Sequence, residues 1–406
     1  MRKRVLQINA VCNSGSTGRI AEGIGQTAIQ CGWDSYIAYG RWSNGSNSGE
    51  IKIGSKLDQL AHVFQTRVFD RHGLASSAAT KSFLKKIDEI NPHIIHLHNI
   101  HGYYLNYKIL FDYLSKKDVP IIWTLHDCWA FTGHCPHFEY IGCEKWKTSC
   151  ESCPLKTWYP SSYGFDRSWQ NYSDKKAAFT SLSKMVIVPV SDWLSSLVSQ
   201  SFLSHYPIHR IYSGIDLDVF KRVENAKQKL GLEENKAYLL AVATDWEPTK
   251  GLEDILSLRS FLPSSFQIII IGLDAKRRKS LPSGVLGIGR VDIKTLVLYY
   301  SAASIVLNLS YEETFGMTTV EGLACGTPGI VYDATSSPEL IDESTGMIVP
   351  AGDVRQVSNG VLKLFQRQRE EQMFLSCRQR VEKLFEKHER FNEYILLYKR
   401  LLSGEL

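Results

Sequence analysis

Asn308-Leu309-Ser310-Tyr311-Glu312-Glu313-Thr314-Phe315-Gly316-Met317-Thr318-Thr319-Val320-Glu321-Gly322-Leu323-Ala324-Cys325-Gly326-Thr327-Pro328-Gly329 is the stretch that decides the reading of this chain. Two carboxylates stand eight residues apart, one before a glycine and one inside the helix that follows. Ile305 to Leu309 reads as a buried strand, Gly316 permits close backbone approach, and Thr318 or Thr319 suits a helix cap. Free N–H groups at that helix start favour an anion such as a phosphate. Glu313 then stands in the loop beside the ligand, and Glu321, about one turn into the helix, accepts hydrogen bonds from its hydroxyls. Acceptor carboxylates suit a sugar and a ribose. Spacing alone equally allows two solvated charges flanking an ordinary turn.

The surrounding residues shift that balance. Glu-x7-Glu, with Phe315-Gly316 before the helix and Ala324-Cys325-Gly326-Thr327-Pro328 after it, closely resembles the donor-binding signature of the retaining, GT-B-fold nucleotide-sugar glycosyltransferases. More narrowly it resembles family four of those enzymes, the bacterial polysaccharide or colanic-acid type. The resemblance runs over most of the chain, from Gly15-Ser16-Thr17-Gly18 to the final helix. It implies an α/β fold with two doubly wound, Rossmann-like domains facing each other across a cleft.

Length and patterning agree. With 406 residues, 44% of them hydrophobic, the chain is too long for one core and fits two domains. In the first half, Val5 to Ala10, Tyr36 to Tyr39, Ile94 to Leu97, Ile121 to Leu125 and Met185 to Val190 are apolar runs separated by helical patterns. In the second, Tyr238 to Ala243, Phe266 to Ile271, Ile305 to Leu309 and Gly329 to Val331 repeat the alternation. The boundary is expected near residue 210, giving an acceptor-side domain over 1–210 and a nucleotide-sugar domain over 211–390. The final helix, 391–406, is expected to pack back on the first domain, as the last helix does in GT-B proteins. No apolar run reaches the roughly 18 residues of a membrane span, and the start enters a strand directly, so a cytoplasmic protein is expected. The net charge of +5 is too small to argue for nucleic acid, yet it does not hinder peripheral contact with an anionic membrane.

The remaining candidates follow from position and resemblance together. His126 follows the carboxyl end of the strand Ile121 to Leu125; by itself it reads as a structural hydrogen-bonder, and by resemblance it lines the donor sugar. His126 and Glu313 are therefore the catalytic candidates. Gly18 belongs to a glycine-rich turn entering a helix, a weak phosphate-binding signal. Lys250, after the strand Tyr238 to Ala243, matches the lysine that neutralises the donor diphosphate. The family's arginine five residues earlier is replaced by Asp245, and Thr249 adds no charge, so a second phosphate-binding cation is not identified; Arg290 and Lys276-Arg277-Arg278-Lys279 are candidates. Gly289-Arg290-Val291 is expected to border the base through main-chain atoms, which leaves UDP, GDP and ADP sugars open. Gly316, Met317, Thr318 and Glu321 complete the donor site. Asn99 and His101, after the strand Ile94 to Leu97, are expected to contact the acceptor.

Nine cysteines are present. Cys135, Cys143, Cys150 and Cys153 cluster in a long aromatic and basic insertion, about 128–172, and could close around a structural zinc; free thiols and disulfides remain open. No cofactor is required for catalysis in the resembled family. The expected activity is transfer of a sugar from a nucleotide diphosphate to a glycan or lipid-linked acceptor in surface polysaccharide biosynthesis. The alternatives are a nucleotide-sugar epimerase or hydrolase of the same fold and a non-catalytic sugar-nucleotide-binding protein. A Rossmann dehydrogenase is disfavoured because no Gly-x-Gly-x-x-Gly follows the first strand.

Overall fold

Short runs rich in β-branched residues, apolar on both faces, form strands that only helices on either side can cover. In the computed structural model, which describes residues 2–367 and 371–405, such runs build two parallel six-stranded sheets. The chain divides into two units, Met1–Ile211 with His388–Leu406, and Tyr212–Lys387.

The first unit contains β1 (Arg4–Asn9), β2 (Asp34–Tyr39), β3 (Gly49–Lys52), β4 (Ile94–Leu97), β5 (Ile121–Leu125) and β6 (Met185–Pro189), in the order β3-β2-β1-β4-β5-β6. The second contains β7 (Ala237–Val242), β8 (Phe266–Ile271), β9 (Val285–Ile288), β10 (Ile305–Asn308), β11 (Gly329–Tyr332) and β12 (Gly346–Val349), in the order β12-β11-β10-β7-β8-β9. Strand order reverses between β1 and β4 in one sheet and between β7 and β10 in the other. Ligand sites in open parallel sheets form beyond the carboxyl ends of strands at such reversals. The loops leaving β7 and β10 carry Lys250 and Glu313; those leaving β4 and β5 carry Asn99, His101 and His126.

The helix Lys387–Ser403 completes the first unit. Its Phe391, Tyr394, Ile395, Leu397, Tyr398 and Leu401 share one core with Val5, Ile24, Ile94, Ile122 and Val186. Gly23 makes room for it, since a Cβ there would meet the Phe391 ring at 2.2 Å. Three strands were not anticipated: β3, β9 and β12. Each is a sheet edge, half exposed, so it lacks the continuous apolar run of a central strand.

Candidate active site

In the second unit, adjacency of β7 and β10 brings their two loops into register. Lys250 ends the short 3₁₀ turn Pro248–Lys250, and Gly251 follows with φ of 68°. A Cβ at Gly251 would lie 2.0 Å from the Leu309 carbonyl oxygen, so only glycine permits this approach of the two loops. Lys250 Nζ then donates to Glu313 Oε1 at 2.8 Å and to the Glu312 carbonyl at 3.3 Å. The Glu313 backbone is itself fixed. Its N–H donates to Thr335 Oγ1 at 2.9 Å, and its carbonyl accepts from the Ser336 hydroxyl at 2.9 Å.

The helix Met317–Ala324 begins at Gly316, whose φ is 90°. Gly316 is the N-cap, so Thr318 and Thr319 lie inside the first turn and neither caps it as expected. A residue with a Cβ at the cap would press on Leu340 Cδ1 at 2.9 Å. Thr319 is instead buried, its hydroxyl accepting from Asn308 Nδ2 at 3.0 Å. Glu321 is also buried, and its Oε2 accepts from Tyr300 at 2.8 Å. Burial and the adjacent carboxylate both push the Tyr300 phenol well above its ordinary pKa, keeping it a donor. Glu321 is thus not a solvated surface charge.

Arg290 follows β9, and its Nη2 donates to Asp245 Oδ1 at 3.1 Å and to the Thr244 carbonyl at 3.3 Å. Asp245, which stands where the family has its arginine, is therefore the partner of Arg290, one of the candidates for the second cation. Asp292, two residues on, caps the helix Ile293–Ala302 by accepting from Thr295 N–H, which holds the Gly289-Arg290-Val291 loop. The basic run 276–279 lies on the short exposed helix Ala275–Arg278 and the residue after it.

In the first unit, neighbouring β1, β4 and β5 align a row of polar side chains. Gln7 Nε2 donates to the Ala21 carbonyl at 2.8 Å, which turns its Oε1 toward His98 Nε2 at 3.0 Å. His98 Nε2 must therefore carry the proton, leaving Nδ1 as an acceptor. The partner of that Nδ1, at 3.2 Å, is His126 Nε2, which must donate. The unprotonated nitrogen of His126 is then Nδ1. Burial lowers the His126 pKa to about 4, despite the opposing pull of Asp127, so the ring is neutral and offers a lone pair.

His96, on β4, lies against His98 just past the strand end, with tilted rings whose centres are 4.0 Å apart. Its nitrogens are taken by the Tyr398 hydroxyl at 2.7 Å and Thr124 Oγ1 at 2.8 Å. His101 pairs with Asp127, Nε2 to Oδ2 at 2.9 Å, and approaches the Tyr159 hydroxyl at 3.3 Å. Burial disfavours the Asp127 carboxylate, yet His101 and the Trp129 N–H bring its pKa down to about 2. Asn99 N–H donates to Asn9 Oδ1 at 3.2 Å. Gly18 is buried in the helix Gly15–Gln30, where a side chain would crowd Val11 and the Asn13 backbone.

Comparison with known proteins bears on the fold and family of the chain. Residues 222–380 match the family model described as glycosyl transferases group 1, and residues 26–219 match glycosyltransferase family 4. WcaC of Escherichia coli (strain K12), named as a colanic acid biosynthesis glycosyl transferase, is 25% identical over 373 residues, covering 87% of this chain and 89% of its own. Sucrose-phosphate synthase from Thermosynechococcus elongatus superposes with a TM-score of 0.75 at 17% identity, over 99% of this chain and 100% of that one. HepE from Anabaena, solved in complex with UDP, gives a TM-score of 0.66 at 13% identity over 98% and 100%. The chain is a glycosyltransferase of the GT-B fold.

Several groups in this glycosyltransferase escaped the sequence. Gln7 and Tyr300 are anchors of His98 and Glu321, but each reads as one polar residue in an apolar run or helix. Asp254 accepts from both Tyr311 and Tyr332, at 2.6 and 2.8 Å, bracing the β10 loop. Lys175 is buried on the helix Ser168–Phe179, its Nζ donating to the Trp129 and Thr132 carbonyls at 2.7 and 3.0 Å. The spacing Asn171, Lys175, Phe179 on one helical face was the available signal.

The insertion of the glycosyltransferase has its own small core of Phe131, Phe138 and Trp146, all buried. Cys135, Cys143, Cys150 and Cys153 line one cavity of about 20 Å³, and all four are free thiols. Gly133 N–H points at Cys150 Sγ, 3.1 Å away. The Cys135 thiol donates a hydrogen bond to Cys153, which holds the Cys153 thiol below its ordinary pKa and Cys135 above it. Among the described residues, no three His, Cys, Asp or Glu side chains converge as a ready metal site.

Proposed function

We propose that the protein transfers a sugar, with retention of anomeric configuration, from a nucleotide diphosphate to a glycan or lipid-linked acceptor in surface polysaccharide biosynthesis. The observation that carries this reading is the Lys250–Glu313 pair at the strand reversal of the second sheet. A lysine ammonium there neutralises a diphosphate, and the carboxylate beside it orients sugar hydroxyls. The first turn of the helix Met317–Ala324 adds backbone N–H groups for the same phosphates. Glu321, positioned by Tyr300, accepts from the ribose.

In this reading the attacking hydroxyl loses its proton to the departing phosphate, so no free general base is needed. Charge stabilisation by Lys250 and the helix N–H groups supplies most of the rate. His126, neutral and with Nδ1 unprotonated, accepts a hydrogen bond from a donor-sugar hydroxyl; it is not an acid. Asn99 and His101 bind the acceptor, His101 with its ring fixed by Asp127. HepE's complexes with UDP and UDP-glucose support a nucleotide-sugar donor, and the name of WcaC supports polysaccharide synthesis. The cysteine cluster, in the same proposal, draws together around one structural zinc.

A thermal-shift panel of UDP-, GDP- and ADP-sugars tests the donor. A specific donor raises the melting temperature as RT ln(1 + [L]/Kd) dictates. No stabilisation by any of the three rejects the reading.

A further inference from the structure

Helix Lys56–Phe69 is built inside out. Its protein-facing side carries His62 and Thr66, both fully buried, with His62 bonded through Nδ1 to Ser76 Oγ at 2.9 Å and through Nε2 to the Gly73 N–H at 3.0 Å. Its outward side carries Leu57, Leu60, Ala61, Phe64 and Val68, the i, i+3, i+4, i+7, i+11 spacing of an apolar stripe. Leu57 is 77% exposed, Leu60 65% and Phe64 60%. A helix whose only apolar stripe faces away from its own domain has been shaped for another apolar surface.

The stripe does not end with the helix. Tyr163 N–H and Phe165 N–H donate to the Arg67 and Val68 carbonyls at 2.8 and 3.0 Å, which ties the insertion to the helix end. Phe165 thereby stacks on Phe69 with ring centres 5.9 Å apart, and Phe69 meets Phe64 edge-on at 6.2 Å. A groove runs between them, lined by Ala61, Phe64, Phe69 and Phe165. Tyr163 and Trp169 stand exposed nearby in sequence.

Cations outnumber carboxylates around this patch. Lys56, Arg67, Arg71 and Arg167 flank it, and none is in an ion pair among the described residues. The neighbouring carboxylates are engaged elsewhere. Asp58 caps its own helix through Ser55, Asp70 pairs with His134, and Asp166 accepts from the Cys153 and Ser168 N–H groups. Exposed leucine and phenylalanine ringed by uncommitted cations matches the chemistry of an anionic bilayer, apolar below and negative at its surface.

We infer that the outward face of Lys56–Phe69, extended by Phe165, seats the protein on an anionic lipid surface, with Leu57, Leu60 and Phe64 entering the acyl boundary and Arg67, Arg71 and Arg167 meeting headgroup phosphates. Among the described residues no helix is long and apolar enough to cross a membrane; the attachment inferred is at one leaflet. The inference extends the lipid-linked acceptor of the proposed function by naming the surface. Its test needs neither donor nor acceptor, so the two readings fail separately.

The experiment is sedimentation of the full chain with phosphatidylglycerol vesicles and with phosphatidylcholine vesicles. Wild type is expected to bind the former, to bind the latter much more weakly, and to release as salt rises. Combined Leu57→Ser, Leu60→Ser and Phe64→Ser is expected to cost on the order of 10²-fold in partitioning or more, since each buried side chain contributes strongly to transfer. Because all three side chains are exposed, the melting temperature stays at the wild-type value. Arg67→Glu with Arg71→Glu abolishes the preference for phosphatidylglycerol. Wild type that does not sediment with phosphatidylglycerol, or a triple variant that binds as wild type does, overturns the inference. A concentration-dependent dimer that the triple variant loses, without vesicle binding, also overturns it and assigns the face to a second copy of the chain.

Discussion

Lys250 Nζ and Glu313 Oε1 lie 2.8 Å apart, joining two loops 63 residues distant in sequence. The pair neutralises itself in this state. In the proposed function a diphosphate entering the site competes with Glu313 for the ammonium, and Glu313 exchanges that partner for a sugar hydroxyl.

From this pair follows the first prediction. Glu313→Gln keeps the fold but lowers kcat on the order of 10²-fold or more, because an amide cannot orient the sugar as the carboxylate does. Lys250→Ala raises the KM for donor as well. A near-normal kcat for Glu313→Gln refutes the assignment. A double-mutant cycle with additive losses removes the coupling between the two residues.

The second concerns Glu321. Glu321→Ala weakens nucleotide affinity. Tyr300→Phe removes one buried partner of the carboxylate and costs about 1–3 kcal/mol of stability. Chemical denaturation and nucleotide titration of both variants check this; nucleotide affinity unchanged in Glu321→Ala removes Glu321 from the site.

The third follows the proton on His126. His98→Phe leaves His126 Nε2 without its acceptor, frees the ring to change tautomer, and lowers kcat roughly 10- to 100-fold with little change in KM. Nitrogen NMR of the His126 ring reports the tautomer directly. In wild type, kcat carries no inflection from His126 above about 4, where it titrates; an inflection near the ordinary histidine value that His126→Gln abolishes contradicts the neutral-acceptor role.

Histidine also sets the acid response. His126 titrates near 4 and His62 near 3 in the folded chain, both displaced downward by burial from 6.5. The unfolded chain therefore takes up protons first as pH falls below about 6.5, and stability declines through that window down to the folded values. Above it these groups contribute no pH dependence. All twelve histidines lie within 1–211 or 388–406, so their loss of stability falls on the first unit, whereas the second unit's hydrogen-bonded carboxylates, Asp216 and Asp342 among them, lose their contribution only as pH drops below the usual carboxylate value. Hydrogen exchange resolved by segment, at neutral and acid pH, is expected to show faster opening of β4 and β5 than of β7 and β8.

The cysteine cluster gives the last prediction. Protein purified without added metal holds about one equivalent of zinc, and Cys150→Ser with Cys153→Ser loses it and destabilises the first unit. Metal-free protein with four alkylatable thiols excludes the site.

The GT-B fold was legible because its central strands are unbroken apolar runs and its helices are periodic between them. Edge strands such as Gly49–Lys52 were not, since half-exposed pairing leaves no such run. Within the candidate site, the sequence singled out Glu313, Lys250 and His126 by their places after strands. It gave no sign that Arg290 sits on Asp245, or that Gln7 determines which nitrogen of His126 bears hydrogen. Those relations join residues 45 and more than 100 positions apart, and side-chain partners at such separations are settled by sheet order rather than by local pattern. The expected threonine cap failed for a related reason: the positive φ at Gly316 moves the helix start back, and Thr319 is drawn inward by Asn308.

The helix Lys387–Ser403 has a consequence in time. Tyr394 and Tyr398 close over Thr124 and His96, and Phe391 fills the notch left by Gly23, yet these residues of the first unit are translated after the whole of the second. Domains ordinarily fold from the amino terminus forward during synthesis. Here the amino-terminal sheet leaves the ribosome with part of its apolar floor bare, and the carboxyl-terminal unit is complete first. The nascent chain must hold that surface open for the length of the second unit's synthesis, which makes this interval the one in which a chaperone has most to bind.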